Sequence, residues 1–158
     1  MNMGGCNETS IIPENEMSLL QLEGLFKQRG FVASIHEDGY VNLAYPDGLS
    51  EIVWLDDSAK LVRMRVVLLG KEKIRLIPIA KLHDLAAEMN GSFHIGTTIT
   101  DNPLGLLLDY SVIYRHGILE HTLLESVELL RRAAMGAAES YLSDRRLARL
   151  STQGTSKA

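Results

Sequence analysis

Apolar residues recur along this chain at two periods that alternate in blocks. Between Met17 and Arg29, Leu19, Leu22 and Phe26 fall three and four positions apart with Leu25 beside them, and Gly30 follows. That spacing predicts an amphipathic helix over 17–29 with a glycine stop. After Gly30 the period drops to two. The stretches 31–36, 40–45 and 49–56 alternate between apolar and polar positions, separated by Asp38-Gly39 and Pro46-Asp47-Gly48. Both separators supply turn dihedrals cheaply, so three strands in a meander are expected. Asp57-Ser58-Ala59-Lys60 turns the chain again, and LVRMRVVLL places Val62, Met64, Val66 and Leu68 on one face and Arg63 and Arg65 on the other. This predicts a fourth strand.

Helical spacing returns with Ile79, Leu82, Ala86 and Met89, with Pro78 near the first turn and Asn90-Gly91 positioned for a left-handed helix end. Phe93, Ile95, Thr97 and Ile99 then alternate, Asp101-Asn102-Pro103 breaks the run, and Leu106, Leu108, Tyr110 and Val112 alternate again, which reads as a second hairpin. From Gly117 onward Leu119, Leu123, Val127, Leu130, Ala134, Ala137 and Tyr141 form one continuous stripe, with Glu128 and Arg132 spaced as an i,i+4 pair on the polar side. The expected order is α-β-β-β-β-α-β-β-α, an α+β domain with a mostly antiparallel sheet and its helices grouped on it. The domain is expected over 16–143. Residues 1–15 are polar and closed by Pro13, and 144–158 carry no apolar stripe, so both ends are expected to be flexible.

The chain has 158 residues, is 46% hydrophobic and 23% charged, and so suits a single globular core. A net charge of -4 without a stripe of Lys and Arg among aromatics argues against nucleic-acid binding. Cys6 has no second cysteine to pair with, and no stretch approaches the roughly 20 apolar residues that span a bilayer. A cytoplasmic protein away from membranes is expected.

Candidate chemistry is sparse. Asp84 and Glu88 share a helix face, but His83 projects from another by about 140°. His94 alternates with Phe93 and Ile95, which places it on the opposite strand face without the three or four convergent ligands that zinc requires. No Gly-x-Ser-x-Gly elbow, Walker sequence or Gly-x-Gly-x-x-Gly loop occurs, and Cys6 has no basic neighbour to activate it. No catalytic residue, metal ligand or cofactor is therefore expected. One surface feature stands out. In EIVWLDD, Ile52 and Trp54 point opposite to Val53 and Leu55, and in the next strand Leu61, Val67 and Leu69 lie opposite Met64 and Val66. Ile52, Trp54, Val67 and Leu69 are the expected partner-binding residues, because an exposed apolar patch marks an interface and Trp makes a natural anchor.

The helix end AAEMNGS, followed by FHIGTTITD and GLLLDYSVIYRHGILEHTLLESVELL, resembles the YbjN family, described as candidate bacterial sensory transduction regulators with a type III secretion chaperone-like fold. The likeness covers about residues 16–143. Glu88 and Asn90 match the family's Asn-Glu-x-Asn helix end, with Ala87 in place of its first Asn, and Gly96 and Gly117 fall at its glycine positions. The resemblance implies a non-enzymatic regulatory or chaperone-like domain, dimeric in the manner of related chaperones, that binds a protein partner on apolar surface. The alternative is a small-molecule sensor with a pocket between the last helix and the sheet. Replacing His83 and His94 together by Ala is expected to leave the fold intact. Metal analysis of the purified wild type checks this, since stoichiometric zinc or iron lost in the double variant would contradict it.

Overall fold

The structure is a computed structural model and describes residues 10–92, 96–101 and 104–152. Cys6, Phe93, His94, Ile95, Asn102 and Pro103 lie outside the described residues. Fourteen residues of α3 (Ile79–Ser92) and ten of α1 (Leu19–Gln28) flank the strand meander β2 (Val32–His36), β3 (Tyr40–Ala44), β4 (Ser50–Asp56) and β5 (Leu61–Leu69). The second hairpin is β6 (Gly96–Asp101) and β7 (Leu104–Ile113), and α4 (Glu120–Tyr141) follows it. Six strands make one antiparallel sheet in the order β2-β3-β4-β5-β7-β6. The α+β architecture and the predicted order of principal elements are those of the molecule.

Ser18 caps α1 by accepting the Gln21 N–H at 3.2 Å, which satisfies one of the first-turn donors. The stripe of α4 is buried at Leu123, Val127, Leu130, Ala134 and Ala137, and it packs over β5 and β7. Opposite it, Val41, Leu43, Val53, Val62, Met64, Leu106 and Leu108 are fully buried on one sheet face, in a single cluster with Leu22 and Phe26 of α1 and Leu82 and Met89 of α3. The three long helices therefore share one face of the sheet.

Five short elements complete the chain, among them a single 3-10 turn at Glu14–Glu16. β1 (Ile11–Ile12) pairs with β8 (Ile118–Leu119), and Ile12 is buried, so part of the expected N-terminal arm is folded. Next to the pair, Glu14 accepts the His116 N–H at 2.9 Å, which lowers the Glu14 pKa, and meets Lys60 Nζ at 3.5 Å. Gly117, at φ +99°, lies so close to Ile12 that a Cβ would stand 3.0 Å from its carbonyl oxygen. α2 (Lys71–Ile74) buries Ile74. α5 (Asp144–Thr152) replaces the flexible tail expected from residue 144 through 152: Leu147 and Leu150, three apart, pack against the core, and Arg146 pairs with Glu88 at 2.6 Å and stacks 5.0 Å from the Tyr141 ring. A stripe of two leucines among arginines is too short to read as amphipathic without knowing the surface it meets.

Two local expectations are also corrected. Helix α3 continues through Ser92, and Gly91 is not left-handed; Asn90 instead uses its side-chain amide, accepting the Thr97 N–H at 2.6 Å and donating to the Thr97 carbonyl at 3.1 Å. Arg132 donates to the backbone carbonyl of Glu128 at 3.4 Å rather than to its carboxylate, whose charge acts on Tyr45 and Glu51. Among the described residues no helix is long and apolar enough to cross a membrane.

Leu130 is fully buried at the centre of the α4 stripe. Leu130→Ala is expected to destabilise the chain by about 2 to 5 kcal/mol, read as a lower chemical-denaturation midpoint; an unchanged midpoint would contradict the packing of α4 described above.

Candidate interaction surface and a buried acid

Alternation along each strand sends every second side chain to the face that the long helices leave open. Ile52 pairs across the ladder with Arg65, Trp54 with Arg63, Arg65 with Asp109, and Val67 with Leu107. These seven side chains therefore form neighbouring rows on one face. Ile52 and Trp54 are half-buried and Val67 is 48% exposed. Leu107, only 5% exposed, stands outside the main core cluster, as expected of an apolar residue on the second face.

Leu69 does not belong here. It is 3% exposed and sits in the core, because the ladder shifts register between Val67 and Leu69: Val67 faces Leu107 and Leu69 faces Leu106. One extra residue on β5 resets the alternation and returns Leu69 to the helix-covered face. Strict period-two counting over 61–69 cannot register an inserted residue, so this placement was missed.

The charged members of the face are held in position. Arg63 makes two hydrogen bonds to one Asp56 oxygen, at 3.0 and 2.8 Å. Arg65 spans both oxygens of Asp109 at 2.6 and 3.3 Å, and its guanidinium lies 5.2 Å from the Trp54 ring. Asp56 is pushed down to about 2, first by the Ser58 hydroxyl and then by the Ala59 N–H and Arg63. The surface is thus a half-apolar strip with pre-oriented arginines, the composition found at protein interfaces. On edge strand β6 the Asn90 side chain occupies both backbone groups of Thr97.

The expected His and acid candidates do not converge. His83 and Asp84 are exposed on α3, and Glu88 is engaged by Arg146. Among the described residues no group of three or more His, Cys, Asp or Glu could hold a metal ion.

Sequence reading missed Glu51. Its alternation with Val53 places it on the core face, where it is 0% exposed. Tyr45 donates its hydroxyl to one Glu51 oxygen at 3.0 Å, while the other oxygen has no protein partner. Burial pushes the Glu51 pKa up to about 8 and the charge of Glu128 adds to this, against the lowering effects of Tyr45 and Arg131. Tyr45 is raised as well, by burial and then by Glu51. The signal was available as a charged residue at an inward strand position.

No protein-family model and no curated protein matches the chain. Solved structures do. The ExsC–ExsE complex aligns at a TM-score of 0.59 and 13% identity, covering 78% of this chain and 96% of that chain. The HopA1–SchA chaperone–effector complex aligns at 0.56 and 13%, covering 75% and 91%. YbjN from E. coli, described as a candidate transcription regulator, aligns at 0.56 and 17%, covering 82% and 96%. The fold is the one YbjN and SchA share. At these identities the likeness is one of architecture, and it agrees with the chaperone-like arrangement that the sequence resemblance implies.

Glu51 provides a pH test. Its ordinary pKa is 4.5 and its folded value about 8, so between these the folded chain keeps a proton that the unfolded chain releases. Its stabilising contribution is complete below 4.5 and is lost as pH rises through about 8, with a slope of at most about 1.4 kcal/mol per pH unit. Asp56 acts in the opposite sense and only at the acid end. Glu51→Gln retains an acceptor for Tyr45 without a charge, so it is expected to flatten the decline and to exceed wild type in stability at pH 8. Thermal unfolding across this range is the measurement; an unaltered slope would show that Glu51 ionises freely in the fold.

Proposed function

We propose that the chain is a non-enzymatic, chaperone-like protein-interaction domain that pairs as a homodimer and engages a protein partner through the open sheet face. The observation that carries this reading is the one-sided sheet. Three long helices cover one face, while the other presents Ile52, Trp54 and Val67 among anchored arginines. A half-exposed Trp beside an oriented guanidinium has the makeup of an interface anchor. The fold likeness supports the reading, since SchA was solved in a chaperone–effector complex. A regulatory role of the kind named for YbjN is compatible with it, because such a domain can regulate by sequestering its partner. A cytoplasmic setting suits the same reading.

Light scattering coupled to size exclusion is expected to report about 35 kDa, twice the 17.5 kDa chain. Trp54→Glu, at a position that the helices do not cover, is expected to remain folded by circular dichroism and to lose the dimer or the capacity to retain a protein partner in affinity capture. A folded variant with unchanged mass and unchanged capture would exclude Trp54 from the interface, and an unfolded one would place it in the core.

A further inference from the structure

The end of the molecule where α5 lies carries two hollows, one on each side of that helix. Asp144, Leu147 and Ala148, spaced at i, i+3 and i+4, share one face of α5 and close a hollow of about 310 Å³ against Leu76 and Ile77 of the α2–α3 connection. Arg145, Arg146, Arg149 and Leu150 share the other face and line a hollow of about 540 Å³. Neither wall holds a residue of the Ile52, Trp54 and Val67 surface, so the site goes beyond the open-face reading and does not depend on it.

The two hollows differ in chemistry. The smaller is apolar: Leu76 is 70% exposed above the buried Ile77, and Leu147 and Ala148 face them, while Lys73 and Asp144 in the same wall offset each other in charge. The larger is basic. Three guanidinium groups line it, and the one carboxylate bound to them is that of Glu88, which holds Arg146 at 2.6 Å. The Tyr141 ring and the Ser140 carbonyl also fix Arg146, so its role is structural. Arg145 and Arg149 are exposed, and Arg145 makes no ion pair among the described residues. Counted over both walls, Lys73, Arg145, Arg146 and Arg149 stand against Asp144 and Glu88. The adjoining stretch 73–81, KIRLIPIAK, adds Arg75 and Lys81 and no carboxylate. This surplus of cations occurs in a chain of net charge -4, which as a whole repels an acidic partner and attracts it only here.

We propose that the α5 end docks an acidic segment of a partner protein, a large apolar side chain entering the hollow between Leu76 and Leu147 and its carboxylates meeting Arg145 and Arg149. A concave apolar hollow takes a single projecting leucine or phenylalanine side chain, and guanidinium groups pair with carboxylates through charge-assisted hydrogen bonds. A helix is roughly 10 Å across, so about three or four residues of extended chain lead from one hollow to the other. The position of the two chemistries on opposite sides of a ridge favours a chain that crosses the ridge over a flat lipid surface.

Selection of a phage-displayed random peptide library on the immobilised full chain tests this, followed by fluorescence anisotropy of the enriched peptides. The expected consensus places Asp or Glu within a few residues of Leu, Ile, Met or Phe. Binding is expected to weaken with rising salt and to fall at least tenfold in the Arg145→Gln, Arg149→Gln double variant and in Leu76→Ser. All three positions are exposed, so each variant is expected to keep the wild-type circular dichroism, and either one decides the matter if the other fails to fold. No enrichment, a consensus without carboxylates, or undiminished binding in the folded variants would overturn the proposal. Attachment of the chain to phosphatidylserine vesicles, lost in the same variants and without peptide binding, would assign the surface to a membrane and overturn it too. Trp54→Glu is expected to leave these peptides bound; enrichment only of peptides that Trp54→Glu releases would place docking on the open face alone, so the two readings fail separately.

Discussion

The apolar layer between α4 and the central strands β5 and β7 is the constraint on which the other features depend. Leu123, Val127 and Leu130 are fully buried against a sheet face built from Val62, Met64, Leu106 and Leu108. A helix of 22 residues runs about 33 Å, long enough to cross neighbouring strands and tie the two halves of the chain together. The meander supplies β5 and the later hairpin supplies β7, and neither alone buries its apolar face. With all three long helices on that side, the opposite side is left as an open sheet.

That asymmetry explains the composition of the open face. A sheet face without a helix layer keeps polar groups at its surface, yet here Ile52, Trp54, Val67 and Leu107 are interleaved with Arg63 and Arg65. The arginines lie alongside the apolar groups, and their carboxylate partners hold them there. Asn90 ties the last turn of α3 to β6, one side chain occupying an edge-strand amide and carbonyl at once.

The buried acid follows from position more than from local sequence. Glu51 stands near the end of the helix-covered face, where the layer under α4 opens toward Tyr45 and Arg131. A carboxylate in full ionised form would be expensive there, and protonation with a tyrosine donor is the cheaper state. The same local opening makes a hollow beside α4. Polar groups left partly unsatisfied in one place, the second oxygen of Glu51 and Nε of Arg131, mark a region built for something other than packing density.

Periodicity alone determined much of this protein. The three principal helices, the six strands of the main sheet and the inward positions of Val53, Met64, Leu106, Leu108 and Leu130 were legible because a residue's face is set by its spacing from its neighbours. Ile52, Trp54 and Val67 were legible as a second face for the same reason. Leu69 was not, because a bulge breaks the alternation without altering composition. The folding of Ile11, Ile12 and α5 was not legible either. Two isoleucines, or two leucines among arginines, bury only when Ile118 or the ends of α3 and α4 arrive from elsewhere in the chain. The hollow lined by Arg29, Tyr45 and Arg131 belongs wholly to the tertiary level: these residues are about a hundred positions apart at the extremes, and no local pattern records that folding brings them together.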